Sequence, residues 1–145
     1  MANGWKRILV PIQFSDRSPA QELELARELA RTHKASITLL HVVPLSAGVT
    51  VADGGMAAQY YIAAEQDAKQ KLGKLAQTRL KGFKTEIRVE IGDPAGTIVK
   101  QAGKLDADLV IMATHSHKGI KRFLLGSVAE HVVRQCPCAL LTVRP

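Results

Sequence analysis

Apolar and polar positions change period along this chain in a regular alternation. Arg7 to Ile12 is a short apolar run, a strand candidate. Ser18-Pro19 follows, an N-cap with proline at the first helical position. Leu23, Ala26, Leu29 and Ala30 then recur at helical spacing to about Thr32, with Glu22, Glu24, Arg27, Glu28 and Arg31 on the opposite face. Ala35 to Val43 is β-branched and almost continuously apolar, as a central strand covered on both faces is, and Pro44 ends it. Ser46 to Gly55 reads as a loop of small residues, and Met56 to Leu80 as a long helix weakened by Gly73. Thr85 to Ile91 alternates strictly, with Ile87, Val89 and Ile91 to one side, which predicts a strand at the sheet edge. Asp93-Pro94 caps a further helix marked by Thr97, Ile98, Ala102 and Leu105. Leu109 to Met112, a helix from Val128 to Gln135, and Ala139 to Val143 complete the series.

The order is therefore βαβαβαβαβ. Strands joined by helices pair in parallel through right-handed crossovers. The expected architecture is α/β, a doubly wound five-stranded parallel sheet. Its ligand crevice opens at the carboxyl ends of the strands where strand order reverses, between the first and fourth. With 145 residues and no internal repeat, residues 1–145 are expected to form one domain.

Composition narrows the functions to consider. The apolar fraction, 46%, is that of an ordinary globular protein, and no apolar run approaches the ~20 residues of a membrane span. Met1 to Arg7 carries no apolar signal core, so a cytoplasmic location is expected. The formal charge of +7 admits an anionic partner, but the charges are spread. Lys69, Lys71, Lys74, Arg79, Lys81 and Lys84 read as the solvated face of the long helix. Aromatics amount to 4%, too few for base-stacking platforms, so nucleic acid is not an expected partner.

Chemistry concentrates in one place. Ala113-Thr114-His115-Ser116 follows the fourth strand, and nine residues later Gly126-Ser127 opens the last helix. Strand, polar loop, Gly-Ser and helix is an arrangement that cradles phosphate, because the unpaired N–H groups at a helix start carry partial positive charge. Lys118, Lys121 and Arg122 fall inside this loop. Ser127 is either a plain N-cap or a donor to phosphate. His115 and His117 have no neighbouring Cys, Asp or Glu to complete a metal set. His41 ends a buried strand and reads as a hydrogen-bonded core residue. Cys136 and Cys138, one residue apart, match neither a C-x-x-C redox pair nor a zinc set, and Cys138 reads as a small buried residue. No nucleophile sits in an elbow or triad motif, so at most slow, incidental ATP hydrolysis is expected.

Taken together, Ile8-Leu9-Val10-Pro11 with Ser15, Leu39-Leu40-His41-Val42, Gly92-Asp93-Pro94, Ala107-Asp108-Leu109-Val110-Ile111-Met112 and Leu124-Leu125-Gly126-Ser127-Val128-Ala129-Glu130 with Cys138 resemble the universal stress proteins over essentially the whole chain. The resemblance implies an adenine nucleotide alpha hydrolase-like fold with strand order 3-2-1-4-5. It implies a homodimer through the last strand, and ATP or another adenine nucleotide as ligand, with magnesium as its candidate companion. By position, Pro11 and Gln13 would lie near adenine and ribose, Val42 would meet adenine through its backbone, and Met112 would lie against the base. Ala113, Ser116, Gly126, Ser127 and Val128 would face ribose and phosphates. The chain departs from the nucleotide-binding pattern at three of these positions. Ala113 and Ser116 stand where that pattern has glycines, and Gln13 stands for its aspartate. An alanine in ordinary β conformation only narrows such a pocket, whereas at positive φ it would cost ~1 kcal/mol or more. The resemblance thus leads to a module that binds an adenine nucleotide weakly or in altered form, with a role in stress response. The alternative is a family member that has lost the nucleotide and acts as a dimeric protein-interaction module.

Overall fold

The computed structural model describes residues 4–15, 17–45, 55–114 and 126–144. Among these residues five strands and four helices alternate: β1 Arg7–Pro11, α1 Ala20–His33, β2 Ser36–Pro44, α2 Met56–Arg79, β3 Thr85–Gly92, α3 Pro94–Lys104, β4 Leu109–Ala113, α4 Ser127–Gln135 and β5 Ala139–Val143. Every strand pair is parallel, in the order β3-β2-β1-β4-β5. The register places Ile8 beside both Ile37 and Leu109, so β1 lies at the centre with β2 and β4 as neighbours. Strand order reverses there, and this is where such a sheet opens a crevice.

Side-chain alternation along the strands divides the core into two layers. Ile8, Val10 and Ile12, with Ile37, Leu39 and Ile111, pack beneath α1 and α2 through Leu23, Ala26 and Leu72. Leu9, Leu40, Val110 and Met112 pack on the other face against Ile98 and Ala102 of α3 and Ala129 and Val132 of α4. The residues from Leu109 to Met112 are all buried, because β4 is covered on both faces.

Local signals account for most element ends. Asp93 accepts from the Gly96 N–H at 2.9 Å with Pro94 as the first helical residue, so α3 starts as its sequence predicts. Lys34 takes the left-handed conformation (φ 55°) that terminates α1, and the Ala35 N–H reaches back to the Ala30 carbonyl at 3.0 Å.

Three local expectations are corrected. The helix begins one residue later than expected, with Pro19 in the cap position, although the Ser18 hydroxyl still accepts from the Ala20 N–H two residues on, at 3.2 Å, as a capping hydroxyl does. Pro44 belongs to β2 as its last residue, since the ladder to β3 does not call on its missing N–H there: the residue that donates to the carbonyl of its register partner Gly92 is Leu45, at 3.3 Å. On β3 the apolar side is only partly covered. Ile87 and Ile91 stay 37% and 40% exposed, because an edge strand has a helix, α2, over part of one face and no strand beyond it.

Candidate functional site

A cleft of about 850 Å³ opens at the carboxyl ends of β1, β2 and β4. That volume is within the usual range for small-molecule sites. Its walls are laid down by topology: Pro11 and Gln13 leave β1, Val42 comes from β2, Met112 and Ala113 end β4, and Val128 stands in the first turn of α4. Val42 and Met112 are buried, which gives the cleft an apolar floor. Gln13 is exposed at the rim. Gly126 and Ser127 stand at the head of α4 beside Val128. Ser116, Lys118, Lys121 and Arg122 lie outside the described residues, as do His115, His117 and residues 46–54 of the expected small-residue loop.

Backbone conformation separates the two residue types carried at the head of the site. Among the described residues only Lys34 and Asp106 have positive φ without being glycine. Ala113 therefore sits in ordinary strand conformation, paired with Val143 of β5. Its methyl narrows the cleft without straining the chain. Gly126 is the opposite case. At φ 84° and ψ 154° it occupies a region that side-chain-bearing residues essentially do not enter. This glycine is the cap of α4, and its carbonyl accepts from the Glu130 N–H at 3.0 Å. Ser127 is the first helical residue and not the cap, and the cap glycine offers the helix head no side chain.

Sequence reasoning missed two walls. One is the loop after β1. Phe14 lies against the His41 ring, centroids 4.8 Å apart, and His41 Nδ1 is 2.8 Å from the Ile12 carbonyl. A carbonyl only accepts, so Nδ1 donates and Nε2 is left as the acceptor of the neutral ring. His41 is thus hydrogen-bonded as expected, but half-buried on the cleft wall rather than in the core. The other wall is α2, where Tyr60, Ala64, Asp67, Ala68 and Lys71 face the cleft. Their spacing of four, three, one and three is one helical face, and that periodicity was the available signal.

The charges on these walls are already matched. Arg17 Nη1 and Nη2 donate to the two oxygens of Glu22 at 3.2 and 3.0 Å, and Glu22 is only 4% exposed. Lys71 pairs with Asp67 at 2.9 Å and stands 5.1 Å from the centre of the Phe14 ring. Each described lysine or arginine of the cleft thus has its own carboxylate. Among the described residues, the charges of the cleft wall therefore sum to zero. No group of three or more His, Cys, Asp or Glu side chains is placed to hold a metal among the described residues. No helix among them is long and apolar enough to cross a membrane.

The universal stress protein family model matches residues 4–144. A universal stress protein of Methanocaldococcus jannaschii is 34% identical over 145 residues, covering 98% of this chain and 84% of its own length. The solved structure of the universal stress protein UspA from Lactobacillus plantarum superposes with a TM-score of 0.83 at 26% identity, over 97% of this chain and 99% of that one. A more distant structure, from Archaeoglobus fulgidus in complex with dAMP, has a TM-score of 0.66 at 18% identity and covers 94% of this chain and 96% of its own. Other structures of this fold are complexes with cAMP and with AMP. Sheet order, crevice and family match agree, and the chain belongs to the universal stress protein family.

Proposed function

We propose that the cleft binds an adenine nucleotide, weakly or in altered form, in a cytoplasmic homodimer that acts in stress response. The observation that carries this reading is the coincidence of three features at one place. They are an apolar floor of Val42 and Met112, the first turn of α4 reaching the cleft through Val128 just after its positive-φ cap Gly126, and a volume of about 850 Å³. Relatives of this fold that hold AMP, dAMP or cAMP support the ligand class.

The residues suit a nucleotide in kind. Base and ribose would rest on Met112 and Val42 near Pro11, and Gln13 offers an amide oxygen to ribose hydroxyls in place of a carboxylate. Phosphate would meet the head of α4 through Gly126, Ser127 and Val128, with Ser116 and the basic residues of the preceding loop beside it. Magnesium, if carried, would come with the phosphates, since the described walls supply no ligand cluster. Weak binding follows from two features. Gln13 lacks the charge of the family's aspartate, and Arg17 and Lys71 are neutralised by Glu22 and Asp67.

The dimer would form through β5. It is the second edge of the sheet, and Leu140, Leu141 and Val143 along it are half-buried. An apolar edge with unpaired backbone groups is completed by another strand. Sedimentation at several concentrations tests this, and a monomer throughout refutes it.

Calorimetric titration with ATP and with AMP, with and without magnesium, tests the ligand. Binding to the folded state alone also raises the melting temperature by mass action, by about 2.7 kcal/mol of stability at a hundredfold excess over Kd. Absence of heat and of any melting shift at millimolar nucleotide would refute nucleotide binding and leave the dimeric interaction module.

A further inference from the structure

Away from the cleft, two nucleophilic side chains meet. Cys136 closes α4, Cys138 precedes β5, and only Pro137 separates them. Their sulfurs are 3.7 Å apart, within hydrogen-bonding distance for thiols. Both are free and half-buried, packed against the core layer beneath α3 and α4. A disulfide requires ~2.05 Å between sulfurs, so the pair must close by less than ~2 Å. Pro137 restricts the intervening backbone by fixing its φ, which limits how far the sulfurs drift apart. Two thiols leave a tetrahedral metal ion half-ligated, and no third ligand is grouped with them among the described residues.

We propose that Cys136 and Cys138 are a reversible redox dithiol, closed to an intramolecular disulfide by small disulfides of the glutathione class and reopened by the matching thiol. The Cys136 thiolate attacks one sulfur of the small disulfide and expels one small thiolate, leaving a mixed disulfide. The Cys138 thiol releases its proton to solvent and attacks the Cys136 sulfur, expelling the second small thiolate. The protein loses two protons and two electrons, and the small disulfide gains them as two thiols. The order follows from the environment. Burial first, then the neighbouring Cys136 and the charge of Asp108, push the Cys138 thiol up to about 12, so the first attack falls to Cys136. A ring closed over a single intervening residue is small and strained, which makes the disulfide easy to reduce. Its closure ties the end of α4, whose other end opens on the cleft, to the start of the edge strand β5.

The test uses the full folded chain and glutathione disulfide, followed by alkylation and intact-mass measurement under non-reducing conditions. The expected product is a monomer lighter by two hydrogens with both thiols protected, restored by excess glutathione. Cys138→Ser is expected to stop at a glutathione adduct on Cys136. Cys136→Ser is expected to react about tenfold more slowly than Cys138→Ser, because burial and the charge of Asp108 still disfavour the Cys138 thiolate once Cys136 is gone. Full alkylation of both cysteines after oxidation would overturn the proposal. So would stable glutathione adducts on both in the unaltered chain, or a disulfide joining two chains. The mass of the unaltered protein decides the matter even where a serine variant fails to fold.

Discussion

The same substitution, glycine to alanine, is expected to have opposite signs at two positions of this chain. Gly126 has φ 84° and ψ 154°, a conformation open essentially to glycine alone. Forcing alanine into it costs ~1–3 kcal/mol. Gly73, in the middle of α2, has helical conformation, and a Cβ built there meets nothing within 4 Å. Alanine at that position restores helix propensity and removes unfolded-state freedom, a gain of ~0.5–1 kcal/mol. The two variants should therefore differ by roughly 1.5–4 kcal/mol. For a chain of this length each kcal/mol moves the melting temperature by about 2–4 °C. Gly126→Ala should melt about 2–12 °C lower than the unaltered protein, and Gly73→Ala about 1–4 °C higher. Urea titration checks the same quantities, with the midpoint moving and the slope unchanged. If the chain escapes the strain by fraying the head of α4, the bond from the Glu130 N–H to the Gly126 carbonyl opens and that amide exchanges faster. A Gly126→Ala protein as stable as Gly73→Ala, with Glu130 still protected, would refute the glycine-only cap.

Three further outcomes follow from single sites. Asp93→Ala should cost ~1 kcal/mol in urea titration, because the Gly96 N–H loses its 2.9 Å acceptor; Asp93→Asn should retain most of the stability. Ala113→Leu should abolish the nucleotide-induced melting shift by filling the cleft, whereas Ala113→Gly should cost ~0.5–1 kcal/mol of stability and relieve no strain, both read by thermal melts with and without ATP. The raised Cys138 pKa makes stability fall as pH rises from about 9 toward about 12, since over that range the unfolded chain releases the thiol proton and the folded chain keeps it; Cys138→Ser should flatten this part of a pH–stability profile measured by urea titration.

The elements were legible in the sequence because each is written in a local code. Period-two alternation marked β3, a continuous apolar run marked β2, and Asp93-Pro94 marked the start of α3. Residues at the strand ends were legible through the topology those elements imply. Once β1 and β4 adjoin, Pro11, Gln13, Met112 and Ala113 must share one rim. The rest depended on tertiary geometry. The Arg17–Glu22 pair joins a loop to a helix, and the sequence shows Glu22 only as one more acidic residue on what reads as a wet face. Its burial is decided by the cleft wall that α1 and the loop build together.

The cleft also shows why a residue pattern and a residue's conformation must be weighed separately. Two of the positions named for the phosphate loop, 113 and 126, carry glycine in the family's nucleotide-binding pattern, and this chain keeps only the second. Position 113 closes a paired strand and has no need of left-handed freedom, so alanine there alters the shape of the cavity and leaves the backbone as it is. Position 126 turns the chain into α4 through a conformation that only glycine holds, so losing it would remove the helix head itself. Of these two positions, the one that has changed narrows the cleft, and the one that has kept glycine is the one whose conformation requires it. The shape of the cleft can thereby change while the start of α4 stays in place.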